Sequence, residues 1–226
     1  MTAHDFLNGQ GPVPARRHSN GGGWVAATAQ VADTAYVGPL AQVRDHARVG
    51  GYARVYDYAQ VRDHAQVWGD AQVYDHARVY GKAEVYDHAQ VYGSALIYDH
   101  AQVYGYAQVR DHARVSGYAQ VCGHAWVRGD AWVWGNARVW GHARVCGNAR
   151  VGGSALIYGS ARVGGSALIY GSAQVFTVDE KHATLLLLKY SSDQIKITRL
   201  VDSGLFQVHD ICGVILLENS IPAISM

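Results

Sequence analysis

An aliphatic residue returns at every sixth position from Val25 through Val175, 26 times without a slip, and only Ile97, Ile157 and Ile169 replace Val. Alanine holds every sixth position from Ala29 through Ala173, 25 times. Polar and large residues fill the places between. In each Ala-x-Val triplet constant and variable residues alternate, which is the period of a strand with one side turned inward. A helix would need apolar residues at a period near 3.6, which a strict period of six does not supply. Two residues after each aliphatic, from Asp45 to Gly171, stands Gly (15 times) or Asp (7 times). Both types tolerate turns and positive φ. The unit V-x-[GD]-x-A-x is thus predicted to be a short strand followed by a bend.

Strands this short cannot bury an apolar side alone, but a chain that coils so that successive turns stack can. Small Ala beside medium Val suits a narrow interior. Each buried Val contributes roughly 1.5–3 kcal/mol relative to exposure. On these residues the stretch 25–175 resembles the hexapeptide-repeat proteins, whose members form a left-handed parallel β-helix of triangular section. The resemblance implies an all-β solenoid with three hexapeptides to a coil and about eight coils, some 40 Å long at ~4.8 Å per coil. The opening Gly21-Gly22-Gly23-Trp24-Val25 looks like a subgroup of bacterial and phage members labelled as transferases, a label that rests on fold analogy.

The ends break the pattern. Residues 1–24 read as an N-terminal cap, irregular, with Trp24 as a plug and Arg16-Arg17-His18 as a solvated loop rather than an anion site. Residues 176–226 read as a C-terminal cap rich in strands. There Ala183–Tyr190 and Gln194–Val201 flank a turn at Ser191-Ser192-Asp193, and Leu205–Val208 and Val214–Leu217 add further strands. An open β-helix end would expose unpaired backbone, so a cap is expected.

Composition changes little. Net charge is +1, so no global field draws the chain to nucleic acid or a membrane. No opening segment reads as a signal peptide, and the cytoplasm is the expected location. Cys122, Cys146 and Cys212 form no CxxC pair and read as free thiols.

If residues three hexapeptides apart stack, the variable positions become columns. One reads Trp68, Tyr86, Tyr104, Cys122, Trp140, Tyr158, Phe176. Another reads Tyr56, Tyr74, Tyr92, Arg110, Arg128, and a third Gln66, Glu84, Gln102, Gln120. Rings at this spacing can stack with offset, and amide ladders can bond along the axis. Residues 112–175 carry one acid, Asp130, and six arginines. That stretch also holds Trp126, Trp132, Trp134 and Trp140, with Arg128, Arg138, Arg144 and Arg150 on nearby coils. Exposed Trp with Arg is the composition of binding hot spots, so these eight residues are the expected binding surface. A further column of Leu96, Arg114, Trp132, Arg150 and Leu168 is the less polar face on which a homotrimer would pack.

The chemistry is less distinctive. Eight histidines share one slot of the repeat at separations that are multiples of six. The zinc carbonic anhydrases of the hexapeptide family show a His-x4-His pair, which is absent here, and two stacked histidines make a poor zinc site. No metal is expected. The resemblance also implies an acyltransferase, in which a His acts as general base on a hydroxyl or amine with acetyl-coenzyme A as donor. His124 and His142 are then the candidates. Against this, Gly152–Val163 and Gly164–Val175 differ only in Arg162 and Gln174, and an active site needs unique residues. The favoured reading is a non-catalytic scaffold or binding module that presents aromatic, Arg and His ladders to a partner or polymer and needs no cofactor. A hexapeptide-type acyltransferase and a self-assembling rod remain open beside it. Nucleic acid and membrane are not expected partners.

Overall fold

A computed structural model of the chain describes residues 2–176 and, beyond them, the backbone of Leu188–Lys189, Phe206–Ile211 and Val214–Asn219. Each hexapeptide forms one two-residue strand and one turn, as the alternation requires. Each strand pairs in parallel with strands 18 residues away, as Gln66↔Glu84 and Val67↔Val85 do. Three strands and three turns therefore complete a coil, and the coils stack as a parallel β-helix with three flat faces. The first face runs from Trp24–Ala26 through Leu168–Ile169, the second from Gln30–Val31 through Gln174–Val175, and the third from Tyr36–Val37 through Arg162–Val163. No insertion interrupts the coils.

The interior is built from the two constant columns. All 25 repeat alanines are buried, and so is every repeat aliphatic except Val31, which lies in the first coil. Inter-coil amide bonds run up all three faces, for example from Gln66 N to Ala83 O at 2.9 Å and from Trp68 N to Val85 O at 3.0 Å. The turns bond as well, as His88 N does to Gly105 O at 3.0 Å.

The Gly/Asp position is where the conformational tolerance read from the sequence is used. Asp45, Asp57, Asp63, Asp75, Asp87, Asp99 and Asp111 all take left-handed backbone, with φ between 54° and 61°. This region costs most L-residues roughly 1–2 kcal/mol. Aspartate also does something glycine cannot. Among the turn residues from Asp45 to Gly171, none donates its own amide to a backbone carbonyl. Where Asp stands one coil earlier, its carboxylate accepts that amide: Gly81 N donates to Asp63 Oδ2 at 3.0 Å, Gly93 N to Asp75 Oδ2 at 2.9 Å, and Gly129 N to Asp111 Oδ2 at 3.0 Å. Buried or half-buried amides must be paired somewhere, and Asp closes this account between coils.

The N-terminal end corrects two expectations. Thr2–His4 and Val13–Arg17 extend the first face as antiparallel strands, the second of them paired with Trp24–Ala26. Arg16 and Arg17 are therefore strand residues rather than part of a solvated loop. Arg17 donates to Gly22 O at 2.8 Å, and the His18 ring is 2% exposed. Trp24 is not the plug. Its indole lies on the outer side, stacked against His4 at 3.9 Å with the Arg17 guanidinium 4.1 Å from its ring centre. Phe6 and Ala15 join the core instead, at 5% and 0% exposure. Repeat geometry turns the residue before each aliphatic outward, and Trp24 obeys that rule before Val25.

In the tail, Phe206–Ile211 and Val214–Asn219 pair antiparallel, and Leu188–Lys189 pairs with the latter. The expected strand Gln194–Val201, the turn before it and Cys212 lie outside the described residues. Among the described residues, no helix is long and apolar enough to cross a membrane.

Candidate functional site

The outward positions stack into the predicted ladders. Tyr56, Tyr74 and Tyr92 lie 4.9 Å apart and nearly parallel. Trp68, Tyr86 and Tyr104 follow one another at 5.2 and 4.8 Å. Past Cys122, Trp140, Tyr158 and Phe176 continue that column at 5.2 and 4.9 Å. Gln120 Nε2 donates to Gln102 Oε1 and Gln102 Nε2 to Glu84 Oε2, both at 3.2 Å. The fixed rise per coil sets all these spacings.

Stacking has an electrostatic consequence. Burial, then neighbouring Tyr92 and Tyr56, pushes the Tyr74 phenol up to about 12. Burial also raises Tyr56, Tyr80 and Tyr86. Tyr104 is raised by its hydrogen bond to Cys122 and then by burial. A phenol whose folded value exceeds its unfolded value near 10 holds its full stabilising contribution below pH 10. That contribution is lost as pH rises from about 10 through the folded value, which is about 12 for Tyr74. We predict that alkaline titration followed by phenolate absorbance and circular dichroism will leave a subset of the 15 tyrosines un-ionised near pH 10–11. Those should ionise together with loss of the β signal. Ionisation of every tyrosine near pH 10 with the fold intact would contradict the ladder account.

The eight residues expected to form one Trp/Arg surface are distributed around the prism. Trp126 and Arg144 pair in register on the third face, and Arg128 follows on the edge after it. Trp132 and Arg150 pair on the first face, with Trp134 on the edge after it. Arg138 lies on the second face, and Trp140 on its trailing edge. Period six fixes that each points outward, while position along the coil assigns it to a face.

Two clusters result. On the first face, Trp132 Nε1 donates to Ser116 Oγ at 3.0 Å, and its ring meets Trp134 at 5.0 Å. Trp134 lies over Gly152, where an added Cβ would fall 2.1 Å from the ring. This indole pair is thus folded onto the prism, in the column that also carries Leu96, Arg114 and Leu168. On the third face, the Arg144 guanidinium stands 4.7 Å from the Trp126 ring centre and Arg110 stands 5.9 Å from it. Arg162 follows Arg144 in register. Arg110 and Arg162 were not among the expected binding residues. Their signal was available in the sequence, since each lies 18 positions from an expected arginine.

His124 and His142 stack at 4.9 Å, continuing a column with His88 and Tyr106. The ion pairs among the described residues are Arg44–Asp45, Arg62–Asp63 and His88–Asp70, so no carboxylate pairs with either candidate base. Among the described residues, no three His, Cys, Asp or Glu side chains gather as a metal-binding group. Cys122 and Cys146 are free thiols on different edges.

Among the described residues, the grooves along the faces include three. One of about 540 Å³ is lined by residues including His46, His64, Lys82 and Glu84, and one of about 430 Å³ by residues including His76, Arg78 and Leu96. The third, of about 650 Å³, lies at the N-terminal end of the second face beside Trp68. His124 and His142 line none of the three.

A family model described as YdcK Beta solenoid repeat matches residues 71–87 and 143–159. Among solved structures, the chain is similar to the UDP-N-acetylglucosamine O-acyltransferase (LpxA) of Moraxella catarrhalis RH4. The identity is 16% and the TM-score 0.44, covering 67% of this chain and 68% of that one. No curated protein matches the chain.

Proposed function

We infer, for a chain that is a hexapeptide-repeat β-helix, a non-catalytic binding module whose ligand surface is the arginine array around Trp126. The observation that carries this reading is charge without compensation. Arg110, Arg128, Arg144 and Arg162 stand on the third face and its edge, and none of the ion pairs among the described residues involves them. Successive rungs lie ~4.8 Å apart along the axis, and these arginines stand one to a coil, Arg110 and Arg128 on the edge and Arg144 and Arg162 on the face. A linear polymer with acidic groups along its length meets several rungs at once. Arginine suits carboxylate, sulfate and phosphate alike through its planar fork.

Stacking narrows the polymer. Single-stranded nucleic acid is bound largely by bases stacked on open aromatic faces. The Trp126 ring already has guanidinium groups of Arg110 and Arg144 over it. An acidic polysaccharide, which needs the charges and not the ring, fits better.

Titration calorimetry of the whole chain with dextran sulfate, against neutral dextran, tests this. Dextran sulfate should bind, dextran should not, and affinity should fall as salt rises. Arg144→Gln with Arg162→Gln should weaken binding about tenfold or more, whereas Arg78→Gln on the first face should leave it unchanged. Equal losses from both variants, or no binding, would remove the reading. A saturable rise in melting temperature with acetyl-coenzyme A would instead favour the acyltransferase alternative and its candidates His124 and His142.

A further inference from the structure

The groove beside Trp68 is a gap in a ladder. The column on the edge between the second and third faces reads Ala32, Gly50, Trp68, Tyr86, Tyr104. Tyr86 and Tyr104 stack and Trp68 lies against Tyr86 tilted by 32°, but the two rungs before Trp68 carry no ring. Trp68 is accordingly 49% exposed, and its ring lines the cavity of about 650 Å³. That volume falls within the range of roughly 300–1,000 Å³ common for small-molecule sites.

Other outward glycines in this slot do not leave such space. A Cβ at Gly152 would meet the Trp134 ring at 2.1 Å, at Gly38 the Tyr56 Cβ at 2.9 Å, and at Gly164 the Cys146 Sγ at 3.1 Å. At Gly50 it would meet nothing within 4 Å. The lining is also charged. Arg48 and Arg16 line the cavity together with Gln30 and Gln66, and neither arginine takes part in the ion pairs among the described residues.

We propose that this notch binds a planar aromatic anion. The ring of the ligand takes the vacant rung at Gly50, against the side of Trp68 opposite Tyr86. The acidic group meets Arg48 and Arg16. Offset stacking supplies the platform, and a guanidinium fork supplies the anion contact. The site is separate from the Trp126 array and stands independently of the function inferred from it.

The test uses the full chain and two planar anions of unrelated chemistry, adenosine 5′-monophosphate and naphthalene-2-sulfonate, in titration calorimetry. At least one should bind with one equivalent per chain. Gly50→Tyr should weaken that binding about tenfold or more without lowering the melting temperature, because this slot accepts Tyr at other coils and Gly50 is outside the left-handed region. Trp68→Ala and Arg48→Gln should each weaken it as well. Adenosine lacking the phosphate should bind more weakly than the monophosphate if the monophosphate is the ligand that binds. Absence of binding by both anions, or binding that survives Gly50→Tyr, overturns the proposal.

Discussion

Ala107→Leu is expected to lower the stability of the β-helix by about 3 kcal/mol, the upper part of the usual overpacking range. In a domain of this size the melting temperature should fall by roughly 6–12 °C. Ala107 is fully buried, and so are Ala89 and Ala125, its neighbours one coil to either side. The interior is filled at each level by Val and Ala from three faces, so no local void can take the added carbons. The coils cannot separate to make room either, because Gln90 N to Ala107 O and Gln108 N to Ala125 O hold them at 2.9 Å. A Leu at the adjacent outward position, Gln108→Leu, should change stability by less than about 0.5 kcal/mol. Calorimetric melting of the two variants separates interior from exterior one residue apart. Similar melting of both would show that the interior is not close-packed at this position.

The second large effect concerns the corners. Asp75 has φ 57°, and its carboxylate accepts the Gly93 amide at 2.9 Å. Asp75→Ala removes that bond, worth about 1 kcal/mol, and forces a side chain without local hydrogen bonding into left-handed backbone, about another 1 kcal/mol. The sum, about 2 kcal/mol, should lower the melting temperature by roughly 4–8 °C. Asp75→Gly loses the bond alone and should cost about half as much. Asp75→Asn tolerates the conformation and keeps an acceptor, so it should lie closest to the parent. The order Asp, Asn, Gly, Ala in thermal melting is the expected result. If Gly matched Asp, the carboxylate–amide bond would contribute nothing. If Ala matched Gly, the backbone conformation would cost nothing.

These corners also explain an uneven pattern in the sequence. From Asp45 to Asp111 the turn position uses both residues, and from Gly117 to Gly171 it uses glycine alone. Every aspartate there is followed one coil later by Asp or Gly whose amide it accepts, as in the run Asp45, Asp63, Gly81. The acidic character of the first half is thus largely corner chemistry. The later half lacks these carboxylates, which leaves its arginines uncompensated.

The sequence by itself determined which way each repeat residue points. A period of six with Ala and Val two apart makes strands, turns and an interior of fixed composition, and every such choice is made within one hexapeptide. Val103 is inside and Gln102 outside because of their immediate neighbours. The ladders follow once the coil length is known, as Tyr74 over Tyr56 does. Tertiary structure decided what depends on the coil as a whole. It parted Trp126, Trp132 and Trp140 onto three sides, because a six-residue step turns the chain to the next face. It paired Val13–Arg17 with Trp24–Ala26 and put Phe6 in the core, because the first coil has no earlier coil to cover it. It joined Arg110 and Arg162 to the Trp126 cluster and opened the notch at Gly50. Those features arise between residues one coil apart or at the chain end, where contacts are set by stacking and not by the local repeat.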